Sequence, residues 1–158
     1  MKLSCVLAAG VIVATAALPA LAKQTFRDAK GNVQWTAQVE GAKTAFRNAE
    51  GKVGGSAQKE LNGKVTYRSP DGKVAGTAQR DQSGKVTFRG ADGKVKGTAQ
   101  TDQSGKVTYR GADGKVKGTA QFGGGTTTYR DAKGKTAYVV QGEKTIADMG
   151  FITFGLFD

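Results

Sequence analysis

The sequence predicts an all-β protein: an antiparallel meander of about six β-hairpin repeats of about 21 residues, curled or partly closed, with a C-terminal capping segment. Three observations predict it. An aromatic residue followed by arginine occurs six times, as Phe26-Arg27, Phe46-Arg47, Tyr67-Arg68, Phe88-Arg89, Tyr109-Arg110 and Tyr129-Arg130, at separations of 20, 21, 21, 21 and 20 residues. Around each pair, apolar and polar residues alternate with the period of a strand. A glycine-ending turn then recurs at a fixed offset: DAKG, NAEG, SPDG, GADG, GADG and DAKG.

The chain opens with Met1-Lys2, an apolar run from Leu3 to Leu18, Pro19, and the small-x-small triplet Ala20-Leu21-Ala22. That order has the form of a secretory signal peptide over residues 1–22. The run is short for a bilayer crossing and no second one follows, so no transmembrane span is expected after cleavage. Residues 23–141 would form the repeat domain and 142–158 an apolar cap. Cys5 falls within the signal, leaving no cysteine for a disulfide beyond it.

Beyond residue 22, Val, Ile, Leu and Phe make up 22 of the remaining 136 residues, about 16%. That is below the roughly 20% at which disorder becomes a rival to folding. A chain so poor in aliphatic residues builds no thick core. Its order has to come from backbone ladders and a thin apolar face.

Residues 64–84 show one repeat. Val65 and Tyr67 alternate with Thr66 and Arg68, and Val74, Gly76 and Ala78 alternate with Ala75, Thr77 and Gln79. Between them Ser69-Pro70-Asp71-Gly72 suits a four-residue loop built on a type I turn, which keeps Tyr67, Val74, Gly76 and Ala78 on one face. The return connection Asp81-Gln82-Ser83-Gly84 needs an odd loop to bring Phe88 opposite Ala78, and three residues with Gly84 left-handed supply it. The first and fifth return loops (39–43 and 121–125) are one residue shorter and require a different turn. Small residues opposite the aromatics let the rings cover bare backbone.

After Gln141 the period stops. Ile146, Met149, Phe151, Ile152, Phe154, Leu156 and Phe157 crowd together there, as a repeat array's cap would require. Transmembrane β-strands need about ten residues with an apolar outer band, whereas these are shorter and carry Arg and Lys regularly.

Catalytic chemistry finds few residues to work with. The chain has no His, and its one Cys is Cys5. Its acids fall mainly in turns (Asp28, Asp71, Asp81, Asp92, Asp102, Asp113, Asp131), where Asp bonds its own backbone, and their spacing lacks the acidic density of a calcium loop. Gly123-Gly124-Gly125 is followed by neither Lys-Ser/Thr nor a helix pattern, so a phosphate cradle is not expected. The expectation is a protein without enzymatic activity, cofactor or metal.

The basic residues carry what functional signal there is. With 24 Lys and Arg against 13 Asp and Glu, the full chain has a formal net charge of +11. Arg27, Arg47, Arg68, Arg89, Arg110 and Arg130 recur once per two strands, roughly 10 Å apart in register. Lys96 and Lys117 are expected on the same sheet face. Such an array suits a polyanion held with salt-sensitive contacts. Partners outside the cytoplasm would be an acidic glycan, lipopolysaccharide, another envelope polyanion such as anionic lipid headgroups, or extracellular DNA. The plainer reading is that exposed Lys and Arg keep a thin sheet soluble. Alternation puts Arg opposite the rings, which argues against a single-strand nucleic-acid platform.

The segment 105–120, GKVTYRGADGKVKGTA, resembles the hairpin repeats of exported bacterial surface proteins. It is similar to tyrosine-aspartate (YD/Rhs-type) repeats, with an aromatic strand and an Asp-containing turn, and its Gly-Lys starts resemble choline- or cell-wall-binding repeats. The aromatic is followed here by Arg rather than Asp, and Trp35 is the sole Trp, so no binding residue carries over. The resemblance implies an exported bacterial repeat module, periplasmic, cell-surface or secreted.

The function expected is therefore an exported, non-enzymatic module binding an anionic polymer or envelope surface through a basic sheet face. The alternative is a structural or self-associating scaffold using the apolar face and the C-terminal tail. A disordered chain that folds on binding ranks lower, because alternation and turn chemistry agree in all six repeats.

Overall fold

The computed structural model describes residues 22–142, which form twelve β-strands joined by tight turns, with no helix among the described residues. In chain order these are β1 (Ala22–Asp28), β2 (Val33–Glu40), β3 (Lys43–Asn48), β4 (Val53–Lys59), β5 (Val65–Arg68) and β6 (Val74–Arg80). They continue as β7 (Val86–Gly90), β8 (Val95–Thr101), β9 (Val107–Gly111), β10 (Val116–Gly123), β11 (Thr126–Asp131) and β12 (Thr136–Gln141). Each strand pairs antiparallel with its sequence neighbours, and β1 also pairs with β12 through Thr25–Gln141 to Asp28–Tyr138. The predicted all-β meander is present, but it is a closed barrel rather than a curled or partly closed sheet. Closure satisfies the two edge ladders that an open meander would leave exposed. The expected signal peptide (residues 1–22) and cap (residues 142–158) lie outside the described residues, apart from Ala22 and Gly142.

The first turn of each repeat departs from the expected four-residue loop. Gly72 N–H donates to the Ser69 carbonyl and Ser69 N–H to the Lys73 carbonyl, both at 2.9 Å, so the loop is the three residues 70–72. Gly72 takes φ +84°, which an L side chain would resist. An odd loop alone would reverse the second strand's faces. A β-bulge corrects this: Arg68 faces Val74, Tyr67 faces Gly76, and Ala75 is the inserted residue. The same shift follows the aromatic in all six hairpins. Val74 is therefore not on the aromatic face as expected. It sits beside Arg68 at 42% exposure, and Val53, Val95 and Val116 are displaced alike.

The return turns follow expectation. Asp81 N–H donates to the Lys85 carbonyl at 2.9 Å, closing a three-residue loop that sets Ala78 opposite Phe88. The two shorter returns contain two residues between Glu40 and Lys43 and between Gly123 and Thr126. In the second, Gly124 and Gly125 are both left-handed, the signature of a type I′ turn.

Closure follows from a stagger common to all six repeats. Tyr67 faces Gly76, and Gly76 faces Gly90, which lies two residues beyond the equivalent aromatic Phe88. At the seam, Tyr129 faces Tyr138 and Tyr138 faces Asp28, two residues beyond Phe26. Six such steps amount to a shear of about 12 for twelve strands. That one-to-one ratio tilts strands by roughly 36°, as in the eight-stranded parallel barrel. Equivalent residues of the six repeats then stand at one height around the wall.

Inside, one level is aromatic and alanine. Phe26, Phe46, Tyr67, Phe88 and Tyr109 are fully buried and Tyr129 nearly so, interleaved with Ala37, Ala57, Ala78, Ala99, Ala120 and Val140 from the even strands. Four rings face glycine across the hairpin: Phe46–Gly55, Tyr67–Gly76, Phe88–Gly97 and Tyr109–Gly118. Beside the seam the partners are large instead, Trp35 opposite Phe26 and Tyr138 opposite Tyr129. Tyr109 and Tyr129 meet edge to face at 5.6 Å, the geometry ring quadrupoles favour. The outer wall carries Thr, Gln and Arg, so its polarity is the reverse of a transmembrane barrel's. None of the described residues forms a helix long and apolar enough to cross a membrane.

Gly118 shows how tight this interior is, since a Cβ there would lie 2.5 Å from both Tyr129 Oη and the Arg130 carbonyl. Backbone cannot swing away. Gly118→Ala is expected to destabilise the protein by about 1–3 kcal/mol, read as a lower urea midpoint. Gly123→Ala, with nothing within 4 Å of its added Cβ, should move the midpoint little. Equal midpoints for both variants would show that the packing relaxes.

A candidate cationic surface

Alternation about the buried rings puts Arg27, Arg47, Arg68, Arg89, Arg110 and Arg130 on the outer wall, all exposed. Each lies on an odd-numbered strand, one residue before or at its turn-proximal end. Each also faces the first residue of the following strand, Val33, Val53, Val74, Val95, Val116 or Thr136. On the other side Arg47, Arg68, Arg89, Arg110 and Arg130 face Thr36, Ser56, Thr77, Thr98 and Thr119. With the strands tilted, neighbouring arginines stand about 12 Å apart along the wall, wider than an untilted sheet implies.

Every one of the six makes the same local bond. Its Nη1 donates to the carbonyl of the turn glycine four residues on: Gly31 at 3.0 Å, Gly51 at 3.1 Å, Gly72 at 3.0 Å, Gly93 at 3.1 Å, Gly114 at 3.1 Å and Gly134 at 3.2 Å. The bond holds the side chain down against its own turn and fixes where the guanidinium sits. It uses one of five donors. None of the six pairs with a carboxylate among the described residues. Arg80 makes a seventh such bond, to Gly84 at 3.3 Å in a return turn. The aromatic-arginine pattern did not flag it, because the residue before Arg80 is Gln79.

The acids are occupied close to home. Asp28 Oδ1 accepts from the Lys30 and Asn32 N–H groups, and Asp131 Oδ1 from those of Lys133 and Lys135, all at 2.9 Å. The Ser83 hydroxyl on Asp81 and the Ser104 hydroxyl on Asp102, joined by backbone donors, hold both carboxyls below the usual carboxylate range. Ser69 and Lys73 do the same for Asp71. The ion pairs Lys73–Asp71 at 3.0 Å and Lys94–Asp92 at 3.7 Å are exposed and of small energetic weight. No three acidic side chains cluster to hold a metal among the described residues.

Lys96 and Lys117 do not share the arginine face. Each is the inserted residue of its bulge, and its Cε lies 2.8 and 2.7 Å from where a Cβ of Gly90 and Gly111 would stand. Those glycines are buried and alternate inward with Phe88 and Tyr109. The two lysines therefore lean over the inner rim of one barrel end. The expected four-residue loop with an unbroken second strand would have put them with the arginines; the three-residue loop and the bulge together do not.

A groove of about 390 Å³ crosses the outer wall over β10 and β11, lined by Lys106, Thr119, Gln121, Thr128 and Arg130 and bordered by Phe122, which pairs with buried Thr127 and alternates inward with Ala120 at the barrel rim. Of the ringed and aliphatic residues exposed among those described, Phe122 alone is aromatic, at 42%. The corresponding positions on β4, β6 and β8 are Lys59, Arg80 and Thr101. That break in the repeat was visible in the sequence as an aromatic outside the aromatic-arginine series.

No protein-family model matches the chain, including those for the repeat families it resembles, and no curated protein matches it. Among solved structures it is similar to alternansucrase in complex with isomaltononaose, at 18% identity and a TM-score of 0.21. That match covers 72% of this chain, which spans 11% of the other.

The lowered carboxyls of Asp81 and Asp102 set a pH dependence. Near neutrality both are ionised whether the chain is folded or not, so their contribution is fully present. As pH falls through about 3.9 the unfolded chain takes up protons first, and the contribution is gone once pH is below the folded values. An Asp81→Asn/Asp102→Asn variant should lose less stability than the parent between about pH 5 and pH 2, measured by urea denaturation. Parallel curves would remove these turns as the source.

Proposed function

We propose that this protein is an exported, non-enzymatic binding module that holds an anionic polymer or envelope surface against its ring of arginines. One observation carries the reading. Six exposed guanidinium groups stand at one height, each oriented by its own turn carbonyl and none neutralised by a carboxylate among the described residues. The formal charge of +11 adds a long-range attraction for polyanions. An acidic glycan, lipopolysaccharide or another envelope polyanion is the partner class. Export, to the periplasm, the cell surface or the medium, rests on the signal-like residues 1–22. Binding rather than catalysis rests on a chain without His and with Cys5 as its one thiol.

The scaffold alternative loses one of its two surfaces. The apolar face on which self-association would rely lines the barrel interior, and the edge ladders pair with each other.

The purified protein should be retained on heparin at low salt and elute as salt rises. Arg68→Gln/Arg89→Gln/Arg110→Gln, checked for fold by circular dichroism, should elute earlier, with the salt slope of log K shallower by up to about one per arginine removed. A parent that passes unretained at low salt, or a folded triple variant eluting with it, would remove the reading.

A further inference from the structure

We infer that the barrel docks end-on, with the end that carries the six arginine turns set against the anionic lipid headgroups of a membrane surface. The inference rests on the arginine-ring reading and deepens it by naming the surface. Among the described residues every charged side chain lies near one end of the barrel or the other, and the wall between carries none. The segments 27–32, 47–52, 68–73, 89–96, 110–117 and 130–135 make the arginine end, with 15 Lys and Arg against six Asp and Glu. The opposite end has seven against four among the described residues. That is +9 at one end and +3 at the other.

Position and chemistry agree there. Lys52, Lys73, Lys94, Lys115 and Lys135 directly follow the turn glycines, and all five are exposed. The bonds to the turn carbonyls lean each guanidinium toward the same end. Lys96 and Lys117 add two cations over its inner rim. Val53, Val74, Val95 and Val116 face four of the arginines and are partly exposed, which gives the contact an apolar share. The described chain enters at Ala22 and leaves at Gly142 on the opposite end, beside the return turns.

Shape selects the partner. The six arginines stand at one height on a ring about 24 Å across, so a plane perpendicular to the barrel axis meets all of them together. A straight polymer reaches about two or three. The opposite end's charges stand roughly 10 Å farther from that plane, beyond the Debye length of about 8 Å at physiological ionic strength, so they add little.

The test measures co-sedimentation of the purified protein with vesicles of equimolar phosphatidylglycerol and phosphatidylcholine, and of phosphatidylcholine alone, at fixed salt. Heparin retention is measured beside it. Lys73→Gln/Lys94→Gln/Lys115→Gln and Lys43→Gln/Lys85→Gln/Lys106→Gln remove equal charge from opposite ends, all at exposed positions, with folds checked by circular dichroism. The parent should bind the mixed vesicles more tightly than phosphatidylcholine. The arginine-end triple should bind the mixed vesicles about a hundredfold more weakly, the scale for three lysines near an anionic leaflet. The opposite-end triple should lose less than about threefold. Lys73→Arg/Lys94→Arg/Lys115→Arg should bind as the parent does. Equal losses from the two Gln triples would overturn the end-on contact. Parent binding that is equal on both kinds of vesicle would overturn it too, because charge would then play no part. Retention on heparin without vesicle binding would overturn it in favour of a soluble polymer and leave the arginine ring standing. A parent that takes neither heparin nor vesicles would remove the ring and the contact together.

Discussion

One residue inserted opposite each aromatic-arginine step, between the partners of the two, governs this molecule. The three-residue turn after each aromatic strand has odd length, and a strand leaving it in simple register would bury its polar side chains. The bulge at Ala75 and its five equivalents restores parity, so Gly76 and Ala78 return to the face of Tyr67. The same irregularity adds twist, which a wall of short strands needs in order to curve. Together with the return turns it leaves a net stagger of two residues per hairpin, and that stagger lets the sixth repeat meet the first.

Closure also explains how so lean a sequence folds. An open twelve-stranded ribbon would leave its aromatic face exposed and two ladders unsatisfied. In the barrel, large and small residues alternate around one level, with rings from odd strands and alanines from even ones. Glycines opposite four of the rings let the side chains lie on backbone, as Tyr129 does over Gly118 across the neighbouring ladder. Where Trp35 and Tyr138 replace glycine, they flank β1 on both sides. The bulk they add marks the seam, the one place where repeats far apart in sequence must recognise each other.

Much of this was legible from spacing. The aromatic period marks the hairpins, alternation assigns most faces, and the glycine at each turn end fixes its hand; the return loop at Gly84 reads correctly from parity alone. The bulge was not legible, because Val74-Ala75-Gly76 fits an unbroken strand as well as a bulged one. From that omission come the misplaced Val74, Lys96 and Lys117. Closure escaped for a related reason: shear depends on summed registers, and an error of one residue per hairpin changes it by half. The arginine clamp hid behind the regularity of the pattern. A residue repeated six times in phase with a turn glycine four positions later could have been read as a bond to that turn.

That clamp bears on whether the ring can bind anything. A side chain committed to its own turn would be a poor ligand site if the bond consumed its charge, but a neutral carbonyl takes only one of five donors and leaves the cation whole. Ordering a long arginine on binding costs about 1–2 kcal/mol of rotamer entropy, and much of that is already spent when the turn forms. The six groups are therefore preorganised. Because the wall is closed, they face outward in all directions, and a straight rigid polymer would reach about two or three of them. A flexible chain can follow the curve and engage more. For the binding proposed above, this geometry suits a supple, sparsely charged polymer better than a stiff duplex.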